Sequence, residues 1–182
     1  MNDREIISLF FQRSEEAITE LSRKYGDLCF QIASNILNDP QDAEECVNDA
    51  WLGAWNSIPP RSPDPLRAYL CRIVRNLALK KHRANSAQKR DSRFEISLSE
   101  LEECIPDRSF DQQLSANELT AQLNAFLSAL RQNDRVMFVR RYWFAEPLSE
   151  IAAAFGITEH HASVRLSRIR KKLHQHLKEV SQ

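Results

Sequence analysis

The chain has 182 residues, of which 42% are hydrophobic and three are glycine; this is enough apolar material for one medium domain or two small ones and too little glycine for turn-rich sheets. Its formal net charge is zero, which excludes a uniformly basic coat for a polyanionic partner and moves attention to how charge is distributed. No run is long and apolar enough to cross a bilayer, and the N-terminus lacks the basic, apolar and small-residue sections of a signal peptide, so no membrane insertion and a cytoplasmic location are expected.

Alanine, leucine, glutamate, arginine and glutamine are plentiful, and they favour helices, so the expected fold class is all-α. A first helix is predicted over Arg4 to Phe11. A longer one starts at Ser14 as N-cap and carries Ile18, Leu21, Tyr25, Leu28 and Ile32 at helical spacing. Asn38-Asp39-Pro40 reads as turn, cap and first helical residue. The helix it launches lines up Ala43, Val47, Ala50 and Ala54, widened by Trp51, Trp55 and Ile58. Pro59, Pro60, Pro63 and Pro65 make 58–64 an irregular loop, because proline removes amide donors and restricts the residue before it. The next helix sends Leu66, Leu70, Ile73 and Leu77 inward, and its periodicity fades after Arg83.

Residues 91–116 are polar, acidic and weakly patterned, with Pro106 among them. They are predicted to be a flexible linker with room for short helical turns, so that residues 1–90 and 117–182 form two small helical domains. In the second, Leu119, Leu123, Phe126, Leu127 and Leu130 form one stripe, Gln132 to Asp134 a turn, and Val136, Val139 and Trp143 the next stripe. Cys29, Cys46, Cys71 and Cys104 show no paired ligand spacing, so reduced, structural thiols and no metal are expected.

Charge falls in four blocks: net −7 over 1–60, +8 over 61–93, −6 over 94–134 and +5 over 135–182. Two basic segments separated by an acidic one point to two nucleic-acid contacts, with the acidic parts available to a protein partner. Solvated helix faces would account for a single run; each basic block here coincides with a motif.

The first motif is a helix-turn-helix from Leu148 to Leu173. Ile151, Ala152 and Phe155 point inward, Gly156 terminates the first helix, and Thr158 caps the second. The second helix buries Ala162, Leu166, Ile169 and Leu173, which puts His160, Ser163, Val164, Ser167 and Lys171 on the opposite face with Arg168 beside them. Those are the side chains that would meet a DNA major groove. Arg165, Arg170, Lys171 and Lys172 are read as phosphate contacts. Adjacent helical residues diverge by roughly 100°, so His160 and His161 are not read as a metal pair.

The second motif is a stripe of Tyr69, Arg72, Asn76, Lys80 and Arg83 on the helix after the proline loop, a mixture of ring, amide and cations suited to single-stranded DNA. At this point the sequence resembles a known family. Asp42-Ala43-Glu44-Glu45-Cys46-Val47-Asn48-Asp49 is similar to the core-polymerase-binding signature of extracytoplasmic-function sigma factors of the sigma-70 family. Residues 66–78 resemble their promoter-melting helix, and 148–173 their second conserved region.

The resemblance implies a sigma factor that directs bacterial core RNA polymerase to promoters. Asp42, Glu45, Asn48, Asp49 and Leu52 would face the polymerase. Arg61, Tyr69, Arg72, Arg75, Asn76, Lys80 and Arg83 would serve the minus-ten element and its melting, with a flipped base read in the 58–64 loop. His160, Ser163, Val164, Arg165, Ser167, Arg168 and Lys171 would read the minus-thirty-five duplex. Glu100, Glu102, Glu103 and Asp107 would mimic nucleic acid near the active-site cleft, and an anti-sigma protein is the implied inhibitory partner. Asn48, Tyr69 and Ala162-Ser163-Val164 depart from the family's usual residues, and the last leaves the upstream DNA sequence open. The alternative is a one-component helix-turn-helix regulator. With no clustered carboxylates, nucleophile and base pair or ligand spacing, neither an enzyme nor a cofactor is expected.

Overall fold

The computed structural model describes residues 1–85, 93–102, 104 and 116–180, and every regular element among them is a helix. The chain divides into two compact units, Met1–Ser92 and Arg93–Gln182. Glu103, Pro106 and Asp107, assigned to the linker from sequence, lie outside the described residues.

The first unit holds α1 (Asp3–Phe11), α2 (Glu16–Leu37), α3 (Pro40–Ser57) and α4 (Leu66–Asn85). Asn2 opens α1 with a capping box: its side chain accepts from the Glu5 amide, and the Glu5 carboxylate accepts from the Asn2 amide, both at 2.9 Å. Ile6 and Phe10 bury the inner face of α1, and Phe10 meets the Trp55 ring with centroids 6.1 Å apart. Lys24 and Tyr25 of α2 bond Asp3 at 2.7 and 2.6 Å, fastening the first helix to the second. Asn38 closes α2 in the left-handed conformation, and the Asp39 carboxylate caps α3 by accepting from the Asp42 amide at 3.0 Å. These caps match the sequence expectation; Ser14 does not, because α2 begins at Glu16 and it is the Ser14 carbonyl that accepts from the Ala17 amide.

Helices α2, α3 and α4 pack mutually. Small side chains make the contact close: Ala17, Cys29, Ala33, Ala43, Cys46, Ala50, Ala54, Cys71 and Ala78 are all buried. The inward face of α2 is therefore Ala17, Leu21, Tyr25, Cys29, Ile32 and Ile36, and the predicted Ile18 and Leu28 sit half-buried on its flank. On α4 the same correction puts Cys71, Val74 and Ala78 beside Leu66 and Leu70, with Ile73 and Leu77 half-buried. A helix wedged between two others buries an arc wider than one stripe, and small residues occupy its middle.

The second unit holds α5 (Arg93–Glu102), α6 (Ala116–Ala129), α7 (Gln132–Tyr142), α8 (Leu148–Phe155) and α9 (Glu159–Val180). Its core gathers Phe126, Met137, Phe138, Tyr142, Ile151, Leu166, Ile169, Leu173 and Leu177. Helix α5 falls within the span read as linker, and it packs on α7, with Phe94 buried and Leu101 against the core. Two predictions for α7 are corrected. Gln132 to Asp134 form its first turn rather than a loop, and its core face is Met137, Phe138 and Tyr142, leaving Val136 and Trp143 exposed and Val139 half-buried.

The loop before α8 is held from α7. Arg140 donates to the Glu146 carboxylate at 2.6 Å, and Arg141 to the Glu146 carbonyl at 3.3 Å. Burial raises the Glu146 pKa, and the Arg140 bond opposes the shift only in part. Gly156 ends α8 at φ 63° and ψ 33°, the Ile157 amide bonds the Ala152 carbonyl, and Thr158 accepts from the His161 amide at 3.2 Å. A Cβ at Gly156 would meet open space. Gly156→Ala should therefore cost only the left-handed backbone penalty, ~1–2 kcal/mol, read from urea unfolding; an unchanged midpoint would contradict the role assigned to this turn.

Candidate nucleic-acid and protein interface

On α3 the residues singled out for polymerase binding share one outward side. Glu45, Asn48 and Asp49 are exposed, Asp42 is half-buried, and Leu52 is 58% exposed, the most open of the large apolar side chains among the described residues. Two of the acids already have partners on α4. Lys81 lies 2.9 Å from Asp42 and also pairs with Glu45, and the Asn85 amide donates to Asp42 at 3.0 Å. The bonds to Glu45 and then Asp42 hold the Lys81 pKa above the ordinary lysine range. Sequence reasoning passed over Lys81 because it lies off the 69–83 stripe; its position one turn past Ala78, toward α3, was the available signal.

That stripe is present on α4. Arg72, Asn76, Lys80 and Arg83 are exposed and Tyr69 is half-buried. The Tyr69 hydroxyl donates to Ser57 Oγ at 2.7 Å, and Ser57 in turn donates to the Gly53 carbonyl at 2.6 Å. The phenol is thus anchored to the last turn of α3, beside the loop that carries exposed Arg61, while the ring stays partly open. Arg75, placed on the melting helix by resemblance, is half-buried and turned off the stripe; burial lowers its pKa from the usual guanidinium value.

In the second unit, His160, Ser163, Arg168 and Lys171 are exposed on α9, and Val164, Arg165 and Ser167 are half-buried. An open groove of about 750 Å³ runs along this side, lined by Arg131, Asp134, Val164, Arg165, Arg168 and Lys171 among others. Two arginines read as phosphate contacts have partners within the protein. Arg165 pairs with Asp134 of α7, and Arg170 is turned away from the groove to bond Glu100 at 3.2 Å and the Tyr142 hydroxyl at 2.8 Å. The sequence could not reveal either partner, since each is tens of residues away. Glu100, read as a nucleic-acid mimic, is likewise occupied: it accepts from Arg141, Tyr142 and Arg170.

Among the described residues no cluster of His, Cys, Asp or Glu could hold a metal ion, and no helix is long and apolar enough to cross a membrane. The cysteines are free and buried. Burial pushes the Cys29 thiol up to about 12 and the Cys46 thiol up to about 11, and raises Cys71 as well, the opposite of what a reactive thiolate needs.

Residues 21–88 match Sigma-70 region 2, and residues 120–173 match Sigma-70 region 4. The ECF RNA polymerase sigma factor SigJ of Mycobacterium tuberculosis (strain ATCC 25618 / H37Rv) is 32% identical over 145 residues, covering 77% of this chain and 45% of SigJ. The chain thus spans about half the length of that curated relative. A solved structure of CnrH in complex with the cytosolic domain of CnrY aligns over 97% of each chain, at 22% identity and a TM-score of 0.46. A helical unit of the region 2 type and a second unit ending in a helix-turn-helix define a sigma-type fold. The chain belongs to the sigma-70 family, in its extracytoplasmic-function group.

The burial of all four thiols has a direct consequence. At about pH 8, near the ordinary thiol range, the native chain should react with a thiol reagent only as fast as it opens, and all four cysteines should react at once in denaturant. A thiol that titrates rapidly in the native protein would contradict the placement.

Proposed function

We propose that the protein is a dissociable specificity subunit of bacterial RNA polymerase that binds two promoter elements and traps opened DNA, and that it supplies binding energy rather than chemistry. The observation that carries this reading is the division of one helical unit into two working sides. The acidic face of α3 around exposed Leu52 offers a docking surface, and the ring, amide and cation stripe of α4 lies on the neighbouring helix. A ring fixed at one edge by Ser57 and still partly open is suited to stacking an unpaired base, and Arg72, Lys80 and Arg83 to following the strand. The α9 face supplies the second, duplex contact: Ser163, Ser167 and Arg168 toward base edges, Val164 toward a thymine methyl, and Lys171 toward phosphate. Phosphodiester synthesis stays with the polymerase. An inhibitory anti-sigma partner belongs to the same proposal through the family resemblance alone.

The competing reading is a one-component regulator, whose first unit would sense a ligand or dimerise. A run-off transcription assay separates the two. Added to core polymerase lacking any sigma factor, the protein should produce promoter-dependent transcripts, which a regulator would not.

Two substitutions test the assignment of surfaces. Arg168→Ala should weaken binding to the upstream duplex by ~1–3 kcal/mol, the usual worth of one base-edge contact, with core polymerase affinity unchanged; equal loss of both would refute the division of labour. Tyr69→Ala removes the stacking ring and should lower the permanganate reactivity of promoter thymines more than it lowers closed-complex binding. Tyr69→Phe, which loses only the tether to Ser57, should retain most of the opening.

A further inference from the structure

We infer that Glu100 is a positioning residue that sets the sequence specificity of duplex recognition, acting on the recognition helix α9 through Arg170. This rests on the sigma-factor reading above and adds to it a residue from outside the DNA-facing surface. Glu100 lies on α5, in the stretch between the two matched family regions. Its carboxylate accepts four bonds: from Arg141 Nη2 at 3.2 Å and Nε at 3.4 Å, from the Tyr142 hydroxyl at 2.9 Å, and from Arg170 Nη1 at 3.2 Å. Arg170 Nη1 also donates to the Tyr142 oxygen at 2.8 Å, closing the ring of contacts.

The network is sheltered. The side chains of Arg141, Arg170 and Glu100 are 8%, 19% and 27% exposed, and burial, ahead of any charge effect, raises the Tyr142 pKa above the ordinary phenol range. Two arginines this far out of water need a carboxylate, since removing one member of a buried ionic set leaves the others uncompensated. The seat of α5 is apolar as well as ionic: Phe94 is buried, Leu101 packs against the core, and just past the helix the Cys104 carbonyl meets His174 Nδ1 of α9 at 3.2 Å. Helix α9 is therefore tied at two points one turn apart, Arg170 to α5 and His174 to the residue just beyond it.

Two effects on DNA reading follow from this geometry. The ties fix the rotation of α9 about its axis, and that rotation decides whether Val164, Ser167 and Arg168 meet base edges. They also keep the Arg170 guanidinium away from phosphate, where it would add affinity for any sequence and so dilute discrimination.

The test uses the full chain reconstituted with sigma-free core polymerase. A cognate upstream duplex, enriched from a random pool by the wild-type complex, is compared with a scrambled one over a range of salt concentrations. Glu100→Gln keeps the shape and removes the charge. It should lose about tenfold of the preference for the cognate duplex, on the scale of one charge-assisted bond. Binding to the scrambled duplex should hold or strengthen, and its dependence on log salt should steepen by about one, the signature of one added phosphate contact. Adding Arg170→Ala to Glu100→Gln should return that slope to the wild-type value. Unchanged preference and slope in Glu100→Gln would overturn the inference and leave the sigma-factor reading standing. Equal weakening on both duplexes without a steeper slope would also overturn it, showing Glu100 to be a folding residue only. A wild-type complex that prefers no duplex would remove the sigma-factor reading and this inference together.

Discussion

The constraint behind the whole architecture is that each unit packs around its own core, so its helices hold the fold with one face and leave another exposed. In the first unit this is met by small residues. Alanines and cysteines at the contact of α2, α3 and α4 let the helices approach closely, so that α3 can turn Leu52, Asn48 and Asp49 outward, and α4 its cations, without giving up burial. In the second unit the same demand falls on α9. It buries Ala162, Leu166, Ile169, Leu173 and Leu177, and the residues between them carry the groove-facing groups and the tie to Glu100.

Local signals in the sequence were enough for the helices and their ends. Asn38-Asp39-Pro40 and Gly156-Ile157-Thr158 are combinations whose physics lies within a few residues, and both form the turns and caps expected of them. The faces of α7 were not legible for a physical reason. Val136, Val139 and Trp143 make one helical stripe, and Met137, Phe138 and Tyr142 make another. The second contains Arg141, which argues against burial when only the local pattern is considered. Glu100 removes that obstacle by neutralising Arg141 from another helix, and a partner 41 positions away in the chain leaves no trace in periodicity. The exposure of Val136 and Trp143 is the other side of the same choice.

The candidate site was legible to a similar depth. Outward positions on α3, α4 and α9 follow from helical spacing, and the structure places Leu52, Arg72, Asn76, Lys80, Ser163, Arg168 and Lys171 at or near the surface as expected. What spacing could not supply is which charges are already satisfied. Asp42 and Glu45 hold Lys81, Asp134 holds Arg165, and Glu100 holds Arg141 and Arg170. Each of these sets joins an acidic block of the sequence to the basic block that follows it. The zero net charge is thus partly a record of internal pairing, and among the described residues α4 and α9 each carry exposed cations, Arg67, Arg72 and Lys80 on the one and Arg168, Lys171 and Lys172 on the other.

These pairs differ in what they can do. The Lys81 set reaches water at one end, where Glu45 is 66% exposed, while Lys81 and Asp42 are 25% and 29% exposed, and pairs that reach solvent contribute only ~0–1 kcal/mol. The Glu100 set is sheltered and multiply bonded, and breaking such a set by removing one member costs ~3–5 kcal/mol. The first unit therefore joins α3 to α4 through an ionic set that reaches solvent at Glu45, whereas the second joins α5, α7 and α9 through one that is held by several hydrogen bonds.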